Sequence, residues 1–220
     1  MLTIPHIMEI IQECREIGGD GLSNGVTAYI PDLEVDVLEP PCDFLGAQEN
    51  PAIFVNDKTF HLLSWQHENW KENGTIALKY SFLKSSAIDI IGAIVHETGH
   101  AFNVAAKINN TEGNAYIFEI EVMLKLHETG NLKLFNCSDK DLKDFFKSRL
   151  SYYSKSTAGN PWLTQLVGTL KEQFDIEEPP KFNEKKTRHF PAERYSFFDR
   201  HWSKEQEIIE RKISGMSRSQ

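Results

Sequence analysis

Through positions 1–17, apolar residues recur at helical spacing. Ile7, Met8, Ile10, Ile11, Cys14 and Ile17 follow Pro5, whose missing N–H suits a first helical turn. The run Gly18-Gly19-Asp20-Gly21 predicts the end of that helix. Beyond it the period shortens to two. Residues 26–30 and 33–38 read as strands, the second with Leu33, Val35 and Val37 on one face, and Pro40-Pro41 closes them. Residues 52–55 form a short apolar run ended by Asn56-Asp57, a third strand. Residues 76–82, where Ile76, Leu78, Tyr80 and Phe82 alternate after Asn73-Gly74, form a fourth.

The second half turns helical. Ser86-Ala87-Ile88-Asp89 has the form of a capping box, and Ile90, Ile91, Ile94, Val95, Ala101 and Phe102 continue at helical spacing. Asn109-Asn110-Thr111 breaks the pattern and caps a second helix over 112–127, which ends at Thr129-Gly130-Asn131. Two more helices are predicted over 139–153 and 161–174. Residues 175–195, charged and bearing prolines, read as a long loop, and a last helix over 204–213 leads into a Ser-rich end. The layout predicts an α+β fold. A small antiparallel or mixed sheet in the N-terminal half packs on a mainly helical C-terminal half over 1–174, and 175–220 form an extension.

Composition narrows the possible roles. The 220 residues are 40% hydrophobic, enough for a substantial core. A net charge of −8 argues against nucleic-acid binding, which needs a basic surface to neutralise phosphates. The short basic cluster at 184–189 reads as a solvated loop. The longest apolar stretch, 88–95, contains Asp89 and is too short for a membrane span. Glu9, Glu13, Arg15 and Glu16 interrupt the first apolar segment and no basic lead precedes it, so no secretory signal is expected. Cys14, Cys42 and Cys137 are odd in number and scattered, unlike a disulfide framework. The expected location is the cytoplasm, or a host cell reached without a cleaved signal.

The chemistry is concentrated in His96-Glu97-Thr98-Gly99-His100, inside the apolar-faced helix. Histidines four apart stand one turn above the other on one face, so both imidazoles can reach one ion. Zinc accepts imidazole nitrogen at roughly 2.0–2.1 Å and keeps an open position in catalytic sites. Glu97 lies about 100° further round the helix, where its carboxylate can take a proton from a water that zinc has acidified.

This segment resembles the zincin metallopeptidases. The resemblance implies that His96 and His100 are zinc ligands and Glu97 the general base, acting on a protein substrate. The third histidine of the metzincin pattern is absent, since 103–111 contain none. A gluzincin-like arrangement is therefore implied, with a glutamate from the next helix as third ligand. Glu112 is the first candidate, because Glu112-Gly113-Asn114-Ala115 resembles the start of the ligand helix in gluzincins. Glu119 is the alternative, brought level with His100 by a tight hairpin near Asn109-Asn110, and one of the two can support the other. Glu121 reads as a surface partner of Lys125.

Candidate transition-state donors are Tyr116, His127, His189, Tyr195 and His201. His61 and His67, six apart beside Trp65 and Trp70, suit packing better than a second metal site. Segment 76–82 reads either as an edge strand for an extended substrate or as an ordinary sheet strand. The whole-chain character is similar to bacterial effector proteases, which implies a host protein such as actin as substrate. Two other readings remain: a non-catalytic zinc-binding interaction module, and a zinc hydrolase acting on non-peptide substrates.

Overall fold

Pro5 sits in the first turn of α1 (Ile4–Asp20), which ends within the Gly18–Gly21 run as the sequence predicts. At Gly18 it meets the core: a Cβ there would lie 3.1 Å from Phe102 and 3.3 Å from Ile30. Packing at that crossing outweighs the low helix propensity of glycine. The chain turns only at Gly21, whose φ of 99° few other residues adopt. The computed structural model describes residues 2–46 and 50–177. Among these, residues 26–30, expected as a strand, form none. Their backbone bonds to α1 through Ala28 N–H and Gly18 O, and Ile30 is buried.

Three strands form one mixed sheet, β1 (Glu34–Leu38), β2 (Ala52–Phe54) and β3 (Thr75–Lys79). Their order is β1-β3-β2, with β1 parallel and β2 antiparallel to β3. The 76–82 segment therefore supplies the central strand, not an edge. Past Lys79 it winds into a 3-10 turn over Tyr80–Lys84. The edge nearest the helices is β2. Pro51 O and Val55 N–H bond to β3, and Ile53 is paired with Ala77, so the alternation turns the backbone groups of Ala52 and Phe54 away from the sheet. Between β2 and β3 lies α2 (Asp57–Leu63), an element the sequence reading missed, capped by Asn56.

The helical half follows its caps. Ser86 and Thr111 accept N–H bonds at the starts of α3 (Ala87–Ala105) and α4 (Glu112–Glu128). After the short α5 (Asn131–Leu134), Ser138 and Asn160 do the same for α6 (Asp139–Ser156) and α7 (Pro161–Phe174). Each such cap contributes about 1 kcal/mol. α3 and α4 form a tight hairpin, packed closely at Gly99, where a Cβ would meet Ala115 O at 3.1 Å and Phe118 Cβ at 3.2 Å.

Phe102, Tyr116, Phe118, Phe146 and Tyr153 fill the core between the helices and one sheet face. Leu45, Val55, Leu63 and Trp70 cover the other face. Ile176, just after α7, is buried in the main core. Most of the 175–220 extension, including the helix predicted over 204–213, lies outside the described residues. No described helix is long and apolar enough to cross a membrane, and the three cysteines are free.

Candidate metal centre

One face of α3 carries His96 and His100, ring centroids 5.0 Å apart and planes perpendicular. The turn at 106–111 reverses the chain, so Glu112 at the start of α4 faces both rings. Glu112 Oε2 lies 3.2 Å from His96 Nε2, and Oε1 lies 3.4 Å from His100 Nε2. Two donors on a tetrahedral zinc, each roughly 2.0–2.1 Å from it, stand about 3.3 Å apart. Each imidazole–carboxylate contact is near that separation, and the ligand atoms of the three side chains lie within 4.8 Å of one another, so together they form a group that could hold an ion.

The far side of each ring is fixed by a different partner. His96 Nδ1 lies 2.8 Å from Glu119 Oε2, and His100 Nδ1 lies 2.7 Å from Asn110 Oδ1. An amide oxygen and a carboxylate can only accept, so both rings donate from Nδ1. Neutral rings then present Nε2 lone pairs to an anionic carboxylate, an arrangement that needs a cation between them. Without a metal that cation is a proton. Burial alone would lower the pKa of His96, yet Glu112 and Glu119 overcome it and hold the imidazole at about 10. The same opposition, burial against the two imidazoles, keeps Glu112 well below the usual carboxylate range.

The two competing glutamates therefore separate by position. Glu112 faces the Nε2 atoms, on the ligand side. Glu119, wholly buried, stands behind His96 and accepts from Arg149 Nε at 2.9 Å, from Arg149 Nη2 and from the Tyr153 hydroxyl. Burial would raise its pKa, but the Arg149 guanidinium and His96 bring it down to about 2. Neither Arg149 nor Asn110 was among the sequence candidates. Asn110 read as a helix breaker, and nothing local ties Arg149 to a glutamate thirty residues earlier.

Glu97 points from α3 toward the sheet, where its Oε2 accepts the Phe54 N–H of β2 at 2.7 Å. That bond fills the outward-facing amide left by the strand alternation. Burial pushes the Glu97 carboxyl up, against the pull of His96, His100 and the Phe54 N–H. A cleft of about 70 Å³ borders it, lined among others by Ala52, Phe54, His100, Asn110 and Glu112.

The other expected residues go elsewhere. Tyr116 is buried with its ring 5.1 Å from that of His96 and lies outside the cleft. His127 pairs with Asp139 at 3.0 Å on the surface. Glu121 accepts from Ser23 N–H and Trp162 Nε1 and not from Lys125, which approaches Glu128. His67 stacks on Trp70 and bonds to Phe44 O, while His61 pairs with Asp57, so the two do not meet. His189, Tyr195 and His201 lie outside the described residues. In comparison with known proteins, no family model, no curated protein and no solved structure matches this chain.

Proposed function

We propose that the chain is a zinc-dependent endopeptidase of gluzincin-like plan, hydrolysing peptide bonds of a protein substrate. The observation that carries this reading is the cage of His96 Nε2, His100 Nε2 and Glu112, at 3.2 and 3.4 Å, with both Nδ1 atoms tied back by acceptors. When bound there, zinc supplies Lewis acidity toward a carbonyl oxygen and toward water. His96, His100 and Glu112 would hold the ion, with Glu119 and Asn110 fixing the two rings. Glu97, with one oxygen anchored on Phe54 N–H, takes a proton from the attacking water and returns it to the leaving amine. A zinc-loaded hydrolase of this kind is also compatible with the effector reading, for which actin is a candidate substrate on resemblance alone.

The test compares a cell lysate treated with wild type and with Glu97→Gln, mapping new protein N-termini, beside metal analysis of both proteins. New termini with wild type only, and stoichiometric zinc in both, are expected. Full proteolysis by Glu97→Gln removes the general-base role.

One observation favours a second reading, a zinc-binding interaction module without catalysis. Glu97 already has a structural bond, its Oε2 accepting the Phe54 N–H of β2 at 2.7 Å, so the carboxylate has a role that needs no reaction. Stoichiometric zinc with no new termini in any lysate would select it.

A further inference from the structure

Asn103 is fully buried on α3, three residues beyond His100, where leucine or alanine would suit both the helix and the core better. Its backbone and its side chain both act on the turn at 106–111. The Asn103 carbonyl accepts the Ile108 N–H at 3.1 Å and the Val104 carbonyl accepts the Lys107 N–H at 3.1 Å. Lys107 takes the left-handed conformation, φ 56°, so α3 ends in a Schellman motif closed by backbone bonds alone. The side chain does something else. Asn103 Nδ2 donates to Asn110 Oδ1 at 3.4 Å, the same oxygen that accepts from His100 Nδ1 at 2.7 Å. The other end of the amide, Asn103 Oδ1, is buried with no partner among the described residues. An unpaired buried carbonyl lowers stability, so stability does not explain an asparagine at this position.

We infer that Asn103 is a positioning residue for the metal: it fixes which way the Asn110 amide faces, and so which nitrogen of His100 carries the proton. The inference rests on the zinc-ligand role proposed above for His100, whatever reaction follows. An asparagine amide has nearly the same shape when turned over, so only its partners hold it one way round. With Oδ1 toward the ring, Asn110 accepts from Nδ1 and leaves the Nε2 lone pair facing Glu112. Turned over, its NH2 would meet Nδ1, which could then only accept, and the proton would sit on Nε2 in the ligand position. Asn103 Nδ2 carries donors only, so it opposes the turned-over amide and matches the first arrangement. Turning both amides over together would leave both buried N–H donors of Asn103 unpaired, and orphaned donors are rarer than under-satisfied carbonyls. The order runs from Asn103 through Asn110 to His100.

The test measures zinc affinity of the full chain by competitive chelator titration, within a double-mutant cycle. Asn103→Leu branches alike at Cγ, carries no polar atom and keeps the backbone bonds that close the turn. It is expected to weaken zinc binding by roughly tenfold, while the unfolding temperature of the metal-free chain holds or rises. In an Asn110→Ala background the same substitution is expected to change zinc affinity by less than about twofold, because the link to His100 is already cut. Nitrogen-15 NMR of the zinc-loaded chain supplies a local signature. The His100 Nδ1 proton should exchange with water faster in Asn103→Leu, and the His96 Nδ1 proton, held by Glu119, at the wild-type rate. If Asn103→Leu does not fold, Asn103→Ala takes its place in the cycle and the NMR measurement. Unchanged zinc affinity, or losses that simply add in the double variant, overturn the positioning role and leave the metal site standing. A wild-type chain that takes up no zinc overturns both.

Discussion

Glu119 Oε2 stands 2.8 Å from His96 Nδ1, and the same carboxylate is clamped from behind by Arg149 and Tyr153. The orientation of one imidazole on α3 thus depends on an ion pair between α4 and α6. Three helices meet at that carboxylate, and none of its partners is exposed. A buried pair of this kind is costly to break, because the surviving carboxylate keeps His96 and Tyr153 but loses the guanidinium, with no water to replace it.

Arg149→Met is therefore expected to destabilise the protein by about 3–5 kcal/mol, measured by denaturant unfolding. Glu119→Gln combined with Arg149→Met removes both charges and is expected to recover most of that loss. A double variant no more stable than Arg149→Met alone contradicts this account.

Glu112 and Glu119 differ in what their loss does. Glu112 is one-third exposed at the first position of α4, and Glu112→Ala is expected to abolish zinc uptake and, in the metal-free chain, to lower the pKa of His96, whose proton it helps to hold. Asn110→Ala leaves the ligands in place and frees the His100 ring. It is expected to weaken zinc binding by roughly 10–100-fold. Metal stoichiometry and competitive chelator titration distinguish the two effects.

Zinc uptake is expected to release protons. His96 in the metal-free chain is held at about 10, so at pH 8 its ring is protonated and must give up that proton to accept an ion. Affinity should rise with pH across the range below that value and fall toward acid. Calorimetry in buffers of different ionisation enthalpy measures the protons released. A pH-independent affinity between 6 and about 9 contradicts the arrangement.

Gly99 lies in the motif spacer and touches the neighbouring helix. Gly99→Ala puts a methyl 3.1 Å from Ala115 O and forces α3 and α4 apart. The expected cost is about 1–3 kcal/mol, and zinc affinity should fall with it because Glu112 rides on α4. Thermal unfolding and zinc titration of the variant check both.

What the sequence made legible was local. Ser86 and Thr111 announced two helices that begin where predicted, and the four-residue spacing of His96 and His100 placed both on one face. The Gly18–Gly21 run marked the end of α1, but the contact of Gly18 with Phe102 was not legible in it. Strand order was invisible, since alternation marks an extended segment without naming its partners. That is why 76–82 proved central and β2 the strand beside Glu97. Arg149 and Asn110 were missed for the same reason, their roles being set by residues far along the chain or across a turn.

The hairpin of α3 and α4 has a consequence for how the site comes into being. His96, Glu97, His100, Asn110, Glu112 and Glu119 all fall within residues 96–119. Contacts this close in sequence close small loops, which form quickly and at low entropic cost. The ion-facing groups can therefore assemble before the sheet is paired. Phe54 and Arg149, the two distant contributors, then lock a geometry the hairpin has already drafted. Zinc present during folding would act as a template on this one short segment, so refolding with metal should accelerate formation of the helical half and leave strand pairing as the slower event.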